Sequence, residues 1–216
     1  SLNKSQKAKY INSPENPIYH KSHVLYGLFF SKNSISKKNS CYIVEGYTDV
    51  ISMYQAGIEN VVAASGTALS SIQINLIKRL TKNVIVLFDG DEAGLQAAFR
   101  NVDFMLKEGI NVKIVPFPKG EDPDSYAGKL NEMEFNNFLS ENTKDFIRYK
   151  TELLKKKSGD NPSERVEAIR NIAKSISLMP DRLARIEYSK LSSSLLNISE
   201  SDLLKEISVF RNKKSS

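Results

Sequence analysis

Between residues 41 and 117 the sequence repeats one arrangement. Short apolar runs at Cys41–Glu45, Asn60–Ala64, Val84–Phe88 and Val112–Phe117 are separated by stretches of helical spacing. Strand and helix in strict alternation build a parallel sheet with right-handed crossovers. Three of the runs lead into acids: Glu45, the pair in Asp89-Gly90-Asp91, and Glu121-Asp122-Pro123-Asp124. Parallel strands bring their carboxyl ends to one edge, and in open α/β sheets that edge binds ligands. The sequence therefore predicts three acidic groups along a single sheet edge.

The connecting segments carry helix signals. Thr48–Ala56 is a short predicted helix stopped at Gly57. Ser70-Ser71-Ile72-Gln73 has capping-box spacing and opens a helix to Leu80. Glu92–Lys107 places Leu95, Ala98, Phe99, Val102 and Leu106 along one stripe, with Gly109 just past its end. Upstream, residues 1–40 are polar and turn-rich, apart from an apolar piece at Val24–Phe30 expected to form a short helix. After about residue 130 the spacing of Phe135, Phe138, Phe146, Ile147 and Leu154 is helical throughout. Residues 155–160, Lys-Lys-Lys-Ser-Gly-Asp, are expected to be a linker. Asn161-Pro162-Ser163-Glu164 supplies an N-cap, a proline at the first helical position and a glutamate two residues on. That helix should end before Pro180, with others over about 181–196 and 200–210. The expected architecture is a parallel α/β sheet with flanking helices, followed by a small C-terminal helical bundle. Its parts would be residues 1–40, 41–130 and 131–216.

Carboxylates held at one edge suit Mg²⁺, a hard cation that takes oxygen ligands and shares its shell with phosphates. Gly90 lets the chain turn tightly between Asp89 and Asp91, and Asp49 is expected in the first helical turn beside Glu45. Ser65-Gly66-Thr67 precedes a helix and offers N–H groups and a hydroxyl to a phosphate. A net charge of +6 and a pI near 9.2 favour a polyanionic partner. The lone Cys41 excludes an internal disulfide framework and a CxxC zinc site. There is no Ser/His/Asp nucleophilic set and no GxxxxGK[ST] loop, and His20 and His23 read as surface or structural residues. No apolar run is long enough to span a membrane. Ser1-Leu2-Asn3-Lys4 lacks a signal-peptide core and reads as an internal segment of a longer protein.

A glutamate after one strand and a DxD after a later one resembles the Toprim domain of bacterial primases, topoisomerases and some nucleases. The segments 45–50 (EGYTDV), 66–69 (GTAL), 89–94 (DGDEAG) and 122–124 (DPD), with 9–15 (KYINSPE) and His20-Lys21 upstream, narrow the resemblance to the bacterial replicative primase of the DnaG type. It covers roughly residues 7–210. It implies a DNA-dependent RNA polymerase making short RNA primers on single-stranded DNA from NTPs, at the replication fork in the cytoplasm. It implies Mg²⁺ or Mn²⁺ held by Asp89, Asp91, Asp122 and Asp124, with Glu45 as ligand or base and Asp49 as a supporting acid. Lys9, Asn12 and Lys21, with Gly66 and Thr67, would face template or nucleotide phosphates. The zinc module of the family is absent from this chain, as is most of the basic N-terminal half of its core. The region that engages the replicative helicase is expected to lie outside the chain too.

Three other functions fit the same acids: a metal-dependent Toprim nuclease, a topoisomerase fragment, and a non-catalytic recombination mediator. From residue chemistry alone, the chain is a metal-dependent enzyme or binder of nucleic-acid phosphates.

Overall fold

The computed structural model describes residues 16, 17, 19–64, 69–88 and 92–212, with residues 92–94, 96 and 97 as backbone only. Strands β1 (Cys41–Val44), β2 (Val61–Ala63), β3 (Asn83–Phe88) and β4 (Asn111–Pro116) are parallel and ordered β2-β1-β3-β4. A two-residue β5 (Lys144–Asp145) adds antiparallel to the far side of β4. The helices between the parallel strands are α2 (Tyr47–Gln55), α3 (Ser71–Lys78) and α4 (Glu92–Lys107). Ahead of β1 runs α1 (Leu28–Lys38), and after β4 come α5 (Pro123–Ala127) and α6 (Glu132–Asn142). Four helices follow β5: α7 (Phe146–Ser158), α8 (Pro162–Leu178), α9 (Arg182–Leu196) and α10 (Glu200–Asn212).

Side chains alternate across the sheet as a strand period of two requires. Val84, Val86 and Phe88 of β3 enter a core with α3, α4 and the C-terminal helices, whereas Leu87 faces a second core with α2, α5 and α6. The sheet is thus covered on both faces, which is why its strands read as continuous apolar runs. The C-terminal helices are not a detached bundle. Phe146 packs edge-on against Phe99 of α4 at 5.4 Å, and Ile172, Ile176, Leu203 and Ile207 share the core of the sheet.

Most predicted elements stand, and their caps explain why. Ser70 accepts from the Gln73 N–H while Gln73 accepts from the Ser70 N–H. Asn161 accepts from the N–H groups of Ser163 and Glu164 at the start of α8. Gly109 has φ +75°, the left-handed geometry that ends α4 without Cβ strain.

Three expectations are corrected. The helix expected at Val24–Phe30 lies instead at Leu28–Lys38, because Tyr26 is taken up by a β-bridge to Ala63. Residues 155–158 are not linker but the last turn of α7, where three lysines complement the helix dipole. The region after residue 130 also holds a strand, β5, whose two residues give no periodicity to read.

Candidate metal centre

The strand order β2-β1-β3-β4 reverses direction at β1, so the chain leaves β1 to one side and returns on the other. In doubly wound sheets the crevice at that switch point, beyond the carboxyl ends of the strands, is the ligand site. Glu45 directly follows β1 and is exposed at this point. On the adjacent strand, Ile43 is paired with Val86, and β3 ends two residues later at Phe88. Asp89 and Asp91 come next in sequence but lie outside the described residues, as do Lys9, Asn12, Gly66 and Thr67.

Asp49 sits at the third position of α2 and accepts from the Gly46 N–H at 2.9 Å, half of a capping box. It is 8% exposed, so its carboxylate stabilises the turn carrying Glu45 and has little open face for a ligand. Asp122 caps α5, accepting from the Ser125 N–H at 2.6 Å. Asp124, in the first turn of α5, accepts from the Ser52 hydroxyl of α2. Since α2 also carries Asp49, three residues before Ser52, the acidic loop after β4 is drawn to the helix that follows Glu45. Glu121 turns away to Lys129 and the Ser125 hydroxyl. Lys129, foremost by its hydrogen bond, holds the Glu121 carboxyl below its usual range.

Two residues to which the sequence reading gave no part in the site organise these groups. Ser52 aims Asp124, and its signal was i+3 spacing from Asp49 on one helix face. Gln73 donates to the carbonyls of Lys21 and Val24, fixing the 3₁₀ turn Lys21–His23 that bears Lys21. The rings of His20 and His23 meet at a tilt, 5.2 Å between centroids, in keeping with a structural role.

All the candidate ligands are carboxylates, which suits a hard divalent cation. Among the described residues no cluster of three or more ligand-type side chains is assembled. Among the described residues no helix is long and apolar enough to cross a membrane.

Comparison with known proteins agrees with this geometry. A family model described as Toprim-like matches residues 42–127. The N-terminal domain of the DNA primase catalytic core matches residues 1–32, and the DnaB-helicase binding domain of primase matches residues 149–201. The last match places the helicase-domain likeness from α7 through α9 to the start of α10, whereas the sequence reading had put that region outside the chain. The DNA primase of Staphylococcus aureus is 36% identical over 202 residues, covering 94% of this chain and 33% of the relative. The chain thus spans about a third of the length of the curated relatives it matches. A DNA primase domain from Pseudomonas aeruginosa superposes with a TM-score of 0.82 at 30% identity, over 94% of this chain and 64% of that one. A DnaG primase catalytic domain bound to ssDNA superposes with a TM-score of 0.79 at 30% identity, over 92% and 64%. By sequence and by fold, this chain belongs to the bacterial DnaG-type primase family, as its Toprim-bearing part.

Proposed function

We propose that the chain is the catalytic Toprim part of a primase that makes short RNA primers on single-stranded DNA. The observation that carries this reading is the position of Glu45 at the switch point beside the end of β3, within a likeness to DNA primases that runs the length of the chain. Glu45, Asp89, Asp91, Asp122 and Asp124 would hold Mg²⁺ or Mn²⁺. The bound metal would neutralise charge on the reacting phosphate and lower the pKa of the attacking hydroxyl.

The protein's own share is positioning. The Asp49 cap fixes the turn of Glu45, Ser52 aims Asp124, and basic residues hold phosphates without reading sequence. Lys9, Asn12 and Lys21, with Gly66 and Thr67, would contact the phosphates of template and NTP. A ribonucleotide 3′-hydroxyl then attacks the α-phosphate of the next NTP and expels pyrophosphate. The metal-binding part would end near residue 130. Residues 149–201 would face the replicative helicase, as their likeness suggests.

The test supplies the segment that precedes this part in its relatives, with single-stranded template, Mg²⁺ and labelled NTPs. A short RNase-sensitive product that disappears with Asp89→Asn supports the reading. Nicked DNA without an RNA product would move it to a nuclease.

A further inference from the structure

Deepening that reading and resting on it, we propose that the amino-terminal end of α1 is a stacking platform for single-stranded DNA. Phe29 and Phe30 build it, and the Tyr26–Tyr47 pair lies at the same acid-bearing edge. Phe29 and Phe30 are 73% and 74% exposed, more than any other large apolar side chain among the described residues. Their rings meet edge-on at 5.3 Å, and the Lys32 ammonium lies 4.9 Å from the Phe29 centroid.

The location follows from the fold. Because α1 leads into β1, its first turn lies at the carboxyl edge of the sheet. Tyr26 exchanges backbone hydrogen bonds with Ala63, at 2.9 and 3.1 Å, on the outer side of β2. Ala63 is in register with Val44, the residue before Glu45. The Ser31 hydroxyl, donating to the Val61 carbonyl at 2.7 Å, pins the same turn. Tyr26 also contacts Tyr47 ring to ring at 4.6 Å, and Tyr47 lies two residues after Glu45. Two aromatic pairs, Phe29–Phe30 at the first turn of α1 and Tyr26–Tyr47 beside the turn of Glu45, therefore lie at this edge.

Charge selects the occupant. From Asn16 to Val44 the sequence has four lysines, two histidines, five aromatic residues and no acid. Exposed rings beside the Lys32 ammonium suit a polyanion with open planar faces. Single-stranded nucleic acid is such a ligand, since unpaired bases stack while phosphates pair with cations. A duplex hides its base faces, and an apolar protein surface would offer the Lys32 ammonium no counter-charge. Of the single strands, the template is DNA.

The experiment measures binding of a fluorescent oligo-dT to this chain across a salt series. Phe29→Ala and Phe30→Ala should each weaken binding by about 5- to 150-fold, with the salt slope unchanged. Lys32→Ala should instead flatten the slope of log K against log salt. The chain contains no tryptophan, so Phe30→Trp gives a clean probe. Its affinity should match the parent and its emission should quench on binding. Unchanged affinity in both alanine variants overturns the platform, as does unquenched Trp emission, equal binding of duplex through the same rings, or failure of the parent chain to bind oligo-dT. Phenylalanine-independent binding alongside successful primer synthesis would remove the platform and leave the primase reading intact. Loss of binding in the alanine variants without primer synthesis would do the reverse.

Discussion

The join between the sheet and the C-terminal helices contains a buried lysine, and its behaviour can be worked out. Lys150 of α7 is 4% exposed. Its ammonium donates to the Ser175 hydroxyl of α8 at 2.7 Å, and Ser175 donates to Asp103 of α4 at 2.7 Å. The rings of Phe99 and Phe146 lie 5.3 and 5.8 Å from the ammonium. Removing one partner of a buried charge costs more than removing the charge itself. Ser175→Ala leaves a buried ammonium without its acceptor and should cost about 2–3 kcal/mol. In a chain of this size that is a loss of roughly 5–10 °C in Tm. Lys150→Met keeps the stem and asks for no acceptor, so it should stay within about 1 kcal/mol of the parent.

The pH dependence has a definite sign. Burial, reinforced by Lys174 and opposed by Asp103, lowers the Lys150 pKa below its ordinary 10.5. Between the lowered value and 10.5 the unfolded chain binds more protons, so this group's contribution to stability rises with pH. Below that interval both states are charged and the full cost of burial is present. Cys41 acts oppositely. Burial pushes its thiol above the ordinary 9.0, so the unfolded chain ionises first and stability falls as pH rises. The lysine is isolated by subtracting the Lys150→Met profile from the parent profile in urea titrations. The difference should climb in favour of the parent towards pH 10.5. A flat difference, or a methionine variant as unstable as Ser175→Ala, would refute the reasoning.

Three further outcomes are expected. Ser52→Ala should weaken Mn²⁺ binding several-fold by electron paramagnetic resonance, whereas Ser52→Thr, which keeps the hydroxyl facing Asp124, should retain it. Asp122→Ala removes the N-cap of α5 and should lower stability in chemical denaturation by about 1 kcal/mol. Gly27→Ala should destabilise by more than about 1 kcal/mol in the same assay, because at φ +83° a Cβ would meet Val50 Cγ1 at 3.0 Å and the Val61 carbonyl at 3.1 Å.

Much of this molecule was legible in its sequence where local chemistry decides structure. The strands of the sheet showed as apolar runs because both faces are covered. The start of α8 showed because Asn161, Pro162 and Glu164 fill its first turn in the expected order. What escaped was decided by partners distant in sequence. Tyr26 leaves the helical pattern because Ala63 offers backbone groups, and β5 exists because β4 has a free side to cover. The lysine run 155–157 looked like a linker because its composition is polar. Yet Lys155 reaches the Leu195 carbonyl at the end of α9, a contact no local pattern announces. At the candidate metal centre the acids were visible as strand-end residues, but the contacts each one makes were not. Only the fold shows Asp49 spent on the Gly46 N–H and Asp124 aimed by Ser52.

The strand order has a kinetic consequence. β1 is flanked on both sides by strands that come later in the chain, Tyr42 pairing with Val61 on one side and Ile85 on the other. Neither pairing is a hairpin, so each must wait for a crossover helix to close a long loop, and sheets built this way fold slowly. Glu45 acquires its neighbours only after both closures. A nascent or partly unfolded chain therefore offers divalent ions scattered carboxylates instead of a weakened version of the site, and metal affinity should emerge with the last cooperative step of folding.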